Sequence, residues 1–101
     1  MYTYIWEYEV QPEAEDRFRE VYGAEGDWVA LFRQAPGYVS TTLYHDLNHP
    51  HCYVTVDSWD SRDAHQAFRQ QFAGDFAELD AACEELTLRE ALLGEFELVA
   101  E

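Results

Sequence analysis

YVTVDSWDSRDAHQAFRQQF, Tyr53 to Phe72, runs an alternating strand through a tryptophan and straight into a capped helix. In Tyr53-Val54-Thr55-Val56-Asp57-Ser58-Trp59 successive side chains point to opposite faces, the period of two that a half-buried strand requires. From Ser61 the period changes. The Ser61 side chain can accept the orphan amide hydrogens of a first helical turn, and Asp63 sits where the helix dipole favours negative charge. Ala64, Phe68 and Phe72 recur at i, i+4 and i+8, so the segment predicts a strand, a Trp corner and an amphipathic helix.

Outward from that corner the same reading repeats. Tyr2 to Val10 alternates with Tyr2, Tyr4, Trp6, Tyr8 and Val10 on one face and Thr3, Ile5, Glu7 and Glu9 on the other, a strand with one aromatic side. Pro12 opens a helix whose first turn holds Glu13, Glu15 and Asp16 and whose buried stripe is Ala14, Phe18, Val21 and Tyr22, with Gly23 as a stop. Asp27 caps a second short helix carrying Trp28, Leu31 and Phe32. Ala35-Pro36-Gly37 signals a turn before a strand from Tyr38 to His45, and a polar loop from Asp46 to Pro50 leads to the third strand. After the Ser61 helix, Gly74-Asp75 is expected to break or bend it, with Phe76, Leu79, Cys83 and Leu86 continuing the apolar stripe. Gly94 to Val99 closes the chain as a last strand.

This order predicts an α+β, ferredoxin-like split βαβ fold over residues 1–101, a four-stranded antiparallel sheet with helices on one face. The other face is expected to carry some mixture of Ile5, Val39, Thr41, Leu43 and Trp59, too apolar to stay wet. Pairing with a second copy is the economical cover, so a two-fold homodimer is expected.

Composition narrows the function classes. The chain has a net charge of −15 and no lysine, and its six basic residues are all arginine. Phosphate neutralisation needs clustered cations, so a nucleic-acid role is excluded, and the same field repels anionic membrane surfaces. Schiff-base chemistry on lysine is impossible. Six Phe, seven Tyr and three Trp point to a ligand cavity or a subunit contact. Cys52 and Cys83 stand apart without a CxxC pair and read as reduced core or edge thiols. The start, MYTYIWEYEV, lacks the basic and apolar regions of a signal peptide, so a soluble cytoplasmic protein is expected. His45, Asp46, His49, His51 and Cys52 crowd one loop, but their spacing matches no closed metal site, and they read as a polar turn.

Pro36-Gly37-Tyr38, His49-Pro50, Trp59-Asp60-Ser61, Ala64, Phe68 and Gly94-Glu95-Phe96 together resemble the antibiotic biosynthesis monooxygenase family of dimeric α+β barrels. The resemblance implies a dimer with one cavity per subunit between sheet and helices. Members of that family include cofactor-independent oxygenases that turn polycyclic phenols into quinones, heme-degrading monooxygenases and proteins with no known substrate; the alternative from another class is a dimeric domain that binds a hydrophobic molecule without catalysis. The heme-degrading branch is marked by an Asn on the first strand, a Trp in the helix after the corner and a ligating His beyond it. Here the only Asn is Asn48, in a loop, Phe68 takes the Trp place and Glu78 falls near the His place, so that branch is disfavoured.

In the quinone-forming branch the resemblance implies a Trp at the corner, matched by Trp59, a phenol on the helix, where this chain has His65, and an Asn, where it has Thr55. That chemistry needs no cofactor. A phenol or anthrone must lose a proton before it passes an electron to dioxygen, and a histidine suits that task at neutral pH. The expected roles are His65 as base, Trp59 and Tyr4 as orienting or donor groups, and Thr55 as a minor polar contact. Trp6, Tyr22, Trp28, Phe68 and Phe72 are the expected walls for a small aromatic or hydrophobic ligand. Asp57 and Glu7 are set aside as bases, because acids on a strand of so acidic a protein usually face solvent.

Overall fold

The computed structural model describes residues 1–100. Strands β1 (Tyr2–Val10), β2 (Tyr38–His45), β3 (Cys52–Trp59) and β4 (Thr87–Glu97) form one antiparallel sheet in the order β2-β3-β1-β4. Helices α1 (Glu15–Tyr22) and α2 (Asp27–Phe32) follow β1, and α3 (Arg62–Gln71) and α4 (Ala73–Cys83) follow β3. This is the ferredoxin-like topology, with β1 and β3 at the centre of the sheet.

The aromatic parity of β1 decides which face is covered. Tyr2, Tyr4, Tyr8 and Val10 are buried, while Thr3, Ile5, Glu7 and Glu9 between them keep partial contact with solvent. The register pairs Tyr2 with Trp59, Tyr4 with Asp57, Trp6 with Thr55 and Tyr8 with Tyr53, and directly opposed residues share a face. The helix-facing side of β3 is therefore Tyr53, Thr55, Asp57 and Trp59. Leu43 and Thr41 lie opposite Thr55 and Asp57 and so face the same way. The expectation that Trp59, Thr41 and Leu43 contribute to the outer face is corrected. That face carries Ile5, Val54 and Val56, half-buried, beside exposed Val39, Tyr44 and Phe96.

Aromatic packing fastens the helices down. Phe18 and Tyr22 of α1 stack at 4.2 Å, and Phe18 meets the Tyr53 ring at 5.1 Å. Trp59 is fully buried among Phe32, Tyr38 and Phe68. At the start of α3 the Ser61 hydroxyl accepts from the Ala64 amide at 3.0 Å, as the cap requires. Gly37 has φ of 89°, and a Cβ there would come within 2.7 Å of the Ala64 Cβ. The Pro36-Gly37 turn thus brings β2 against α3 at a point where only glycine fits.

Two boundaries differ from the sequence reading. The break between α3 and α4 falls at Phe72, and Gly74 and Asp75 lie inside α4. The last strand begins at Thr87, seven residues before Gly94, and its 11 residues pair along β1 with a register shift opposite Ile5 and Trp6. Leu88, Arg89, Glu90, Ala91 and Leu92 favour helix intrinsically, but cross-strand pairing overrides so weak a preference.

Candidate active site

A cavity of about 450 Å³ opens between the covered face of the sheet and the helices. Its floor is the aromatic stripe of β1, Tyr2, Tyr4, Trp6 and Tyr8, with Thr55 and Asp57 from β3 and Thr41 from β2. Tyr22, Trp28 and Phe32 close one side, His65, Arg69 and Phe76 another, and Asp80, Glu90, Leu92 and Glu95 complete the wall. The volume lies within the roughly 300–1,000 Å³ of small-molecule sites.

Tyr4 and His65 meet at 4.8 Å between ring centres, and Trp59 meets His65 edge-on at 5.3 Å. The Trp59 indole N–H donates to the Tyr4 hydroxyl at 3.3 Å. The Tyr8 and Thr55 hydroxyls share a hydrogen bond of 3.1 Å. Tyr38 donates to Thr41 at 2.8 Å, and Thr41 in turn donates to the Asp57 carboxylate. Arg69 is held at the wall by its guanidinium, 3.8 Å above the Phe76 ring.

Burial sets the protonation states. The Tyr4 and Tyr8 hydroxyls are pushed far above the usual phenol range, first by desolvation and then in part by the Asp57 charge, so both stay protonated donors. Burial lowers His65 to about 4, with the Arg69 charge adding to the effect, so its imidazole is neutral at pH 7. Burial raises Asp57 to about 6 despite the Thr41 hydrogen bond.

Of the residues singled out from the sequence, His65, Tyr4, Thr55, Trp6, Tyr22 and Trp28 line this cavity. Trp59, Phe68 and Phe72 do not. Trp59 and Phe68 are core residues behind the wall, 0% and 1% exposed, and Phe72 stacks on Phe68 at 5.6 Å. Trp59 reaches the site through its contacts with Tyr4 and His65. Glu7 points to the outer side, where Arg89 donates to it at 2.8 Å. Asp57, expected at the surface, is only 5% exposed and stands in the cavity floor. Its parity with Tyr53 and Trp59, the two bulkiest residues of β3, was the signal for that. Arg69 follows His65 by one helical turn, so helical spacing alone would have placed it beside the site.

The histidine loop has separate partners. His45 Nε2 lies 2.6 Å from the Pro50 carbonyl, His49 Nδ1 3.1 Å from Asp46, and His51 Nδ1 3.2 Å from Glu15. The Asp46 carboxylate also accepts the Asn48 and His49 amides, the hydrogen bonding of an Asx turn. Among the described residues no helix is long and apolar enough to cross a membrane.

A model described as antibiotic biosynthesis monooxygenase matches residues 1–83. A Bordetella bronchiseptica structure named for that family resembles 98% of this chain and 97% of its own, at 26% identity and a TM-score of 0.74. A Deinococcus radiodurans structure named likewise covers 100% of this chain and 95% of its own, at 16% identity and a TM-score of 0.74. SnoaB, a cofactor-independent oxygenase from Streptomyces nogalater, shares the fold over 99% of this chain and 94% of its own, at 22% identity and a TM-score of 0.72. No curated protein matches the chain.

Proposed function

The chain belongs to the antibiotic biosynthesis monooxygenase family, and we propose that it is a cofactor-independent monooxygenase acting on a small aromatic, polyketide-like phenol. The observation that carries this reading is the cavity itself, a pocket walled by phenols and indoles that holds two proton acceptors, the His65 imidazole and the Asp57 carboxylate. The substrate supplies the electrons, so the protein has to bind, deprotonate and steady an anion.

For an anthrone the steps balance as follows. A proton leaves the methylene carbon, and the anion passes one electron to dioxygen. The carbon radical and superoxide join as a carbon-bound peroxide, which takes up a proton. Loss of the second methylene hydrogen with cleavage of the O–O bond leaves one oxygen as the quinone carbonyl and the other as water. The protonated hydroxyls of Tyr4 and Tyr8 serve as donors to the developing oxyanion, oriented by Trp59 and Thr55 respectively. His65, neutral, lies tilted against the Tyr4 ring and adds a ring wall and a hydrogen-bonding edge. Asp57, Asp80, Glu90 and Glu95 outnumber Arg69 around the cavity, which favours neutral or cationic substrates over anionic ones.

A second reading, a dimeric domain that binds a hydrophobic molecule without turning it over, draws on His65 and Thr55 standing where the oxygenase branch has a phenol and an Asn. Oxygen uptake separates the two. Addition of anthrone to protein free of flavin and metal is expected to consume dioxygen above the buffer rate. No uptake, with an apolar dye still bound in the cavity, would leave the binding reading in place.

The homodimer belongs to the same proposal. Ile5, Val54, Val56, Tyr44 and Phe96 lie on the uncovered face of the sheet, and a face shared across four strands can pair with itself about a two-fold axis. Light scattering at micromolar concentration is expected to give twice the chain mass. A monomer mass would remove this part of the proposal.

A further inference from the structure

Asp57 is a buried carboxylate that the steps above do not need for binding. It lies at the middle of the sheet, on β3 between β2 and β1, opposite Thr41 on one side and Tyr4 on the other. A carboxylate in such a place costs stability unless it is fully compensated, and a cost left standing points to a task. Compensation here is partial. Among the described residues Thr41 is its one hydrogen-bond donor, and Tyr38 fills a lone pair of the Thr41 hydroxyl so that the Thr41 hydrogen is aimed at Asp57. Asp57 also stands in the cavity floor beside the Tyr4 and Tyr8 hydroxyls.

We propose that Asp57, and not His65, is the base that takes the proton from the substrate, with Thr41 and Tyr38 as positioning residues that hold its carboxylate. The assignment rests on the oxygenase reading above. In the step itself the methylene C–H bond of an anthrone breaks, the electron pair delocalises into the ring carbonyl as an enolate, and the proton forms an O–H bond with Asp57. Nothing is oxidised until dioxygen arrives. A base near 6 is ionised at neutral pH and still close enough to it to accept a proton, whereas an imidazole near 4 is a much weaker acceptor. The other titratable or charged groups facing the cavity are Tyr2, Tyr4 and Tyr8 from β1, Tyr22 from α1, His65 and Arg69 from α3, Asp80 from α4, and Glu90 and Glu95 from β4. Tyr38 of β2 adjoins through Thr41.

Deuterium exchange tests the proton step apart from the oxidation. Anthrone is incubated with the protein in D2O without oxygen, and methylene deuteration is followed by mass spectrometry. The native protein is expected to accelerate exchange, with a rate that rises with pH to a midpoint near 6. Asp57→Asn is expected to slow exchange by at least about a hundredfold, and His65→Phe by less than about tenfold. Thr41→Val removes a bond that lowers the Asp57 pKa, so it should move the midpoint upward while exchange at high pH persists. Near-UV circular dichroism shows that each variant is folded. Asp57→Asn exchanging within about tenfold of the native rate, or a native protein that accelerates nothing, overturns the assignment. Exchange without oxygen uptake sinks the oxygenase reading and leaves the base in place, whereas oxygen uptake undiminished in Asp57→Asn does the reverse.

Discussion

Trp59→Ala is expected to lower the unfolding free energy by about 3–5 kcal/mol, the cost of emptying a large aromatic site in a packed core. Trp59 is 0% exposed and touches Phe32, Tyr38, His65 and Phe68 with ring separations of 5.7, 5.4, 5.3 and 5.1 Å. These neighbours come from α2, β2 and α3, so the cavity left behind cannot be closed by one element moving. Domains of this size are stable by about 5–15 kcal/mol, so the loss removes a large share of the margin and should depress the melting temperature by roughly 10 °C or more. Urea titration measures it directly. Trp59→Phe keeps most of the packing and loses the donor to Tyr4, which makes it the milder variant. A loss under about 1 kcal/mol for the alanine variant would mean that Trp59 does not join these elements as described.

Asp57→Asn is expected to do the opposite, raising stability at pH 7 by about 1–3 kcal/mol. The sign follows from linkage. Burial raises the folded-state pKa from 3.8 to about 6, so the folded protein holds this proton more tightly than the unfolded chain does. The stabilisation that comes from the carboxyl is complete below the unfolded value and is lost as pH rises through the folded one. At pH 7 the charge is carried in both states and opposes folding. An amide of the same shape removes that penalty, less the cost of its own partly buried N–H groups, and it can still accept from Thr41. Near pH 4 the two proteins should converge. Equal stability at pH 7, or a less stable variant, would mean that the carboxylate is held for structure. Gain in stability together with loss of proton exchange is the pairing expected of a group retained for chemistry.

The strands and their order were legible because period-two alternation is a local property, and β1, β2 and the Trp59 corner needed nothing more. The last strand was not. Its first part, TLREALL, carries helix-favouring residues, and its extended form depends on β1, 77 to 86 positions away in the chain. Parity was the second obstacle. Val54, Val56 and Ser58 compete with Tyr53, Thr55, Asp57 and Trp59 as the inner face of β3; the bulk of Tyr53 and Trp59 favours the second set, and the register with the tyrosines of β1 selects it. With that choice unresolved, Asp57 looked solvated and Trp59 looked free to line a pocket. The structure reverses both, although His65, Tyr4 and Thr55 do meet at one cavity. Ala64 and Phe68 lie on the core stripe of α3, which Phe72 continues at its end, whereas His65 and Arg69, each one residue from that stripe, form the one that reaches the cavity. A helical wheel separates those two stripes but does not say which one faces a void.

The oxygenase reading meets its most direct test in the fate of labelled dioxygen. Flavin-free and metal-free protein, supplied with anthrone under isotopically labelled dioxygen, is expected to form anthraquinone that carries one labelled oxygen per molecule, with the other labelled atom recovered as water. Quinone formed no faster than in buffer, or quinone whose new oxygen comes from unlabelled water, would contradict it.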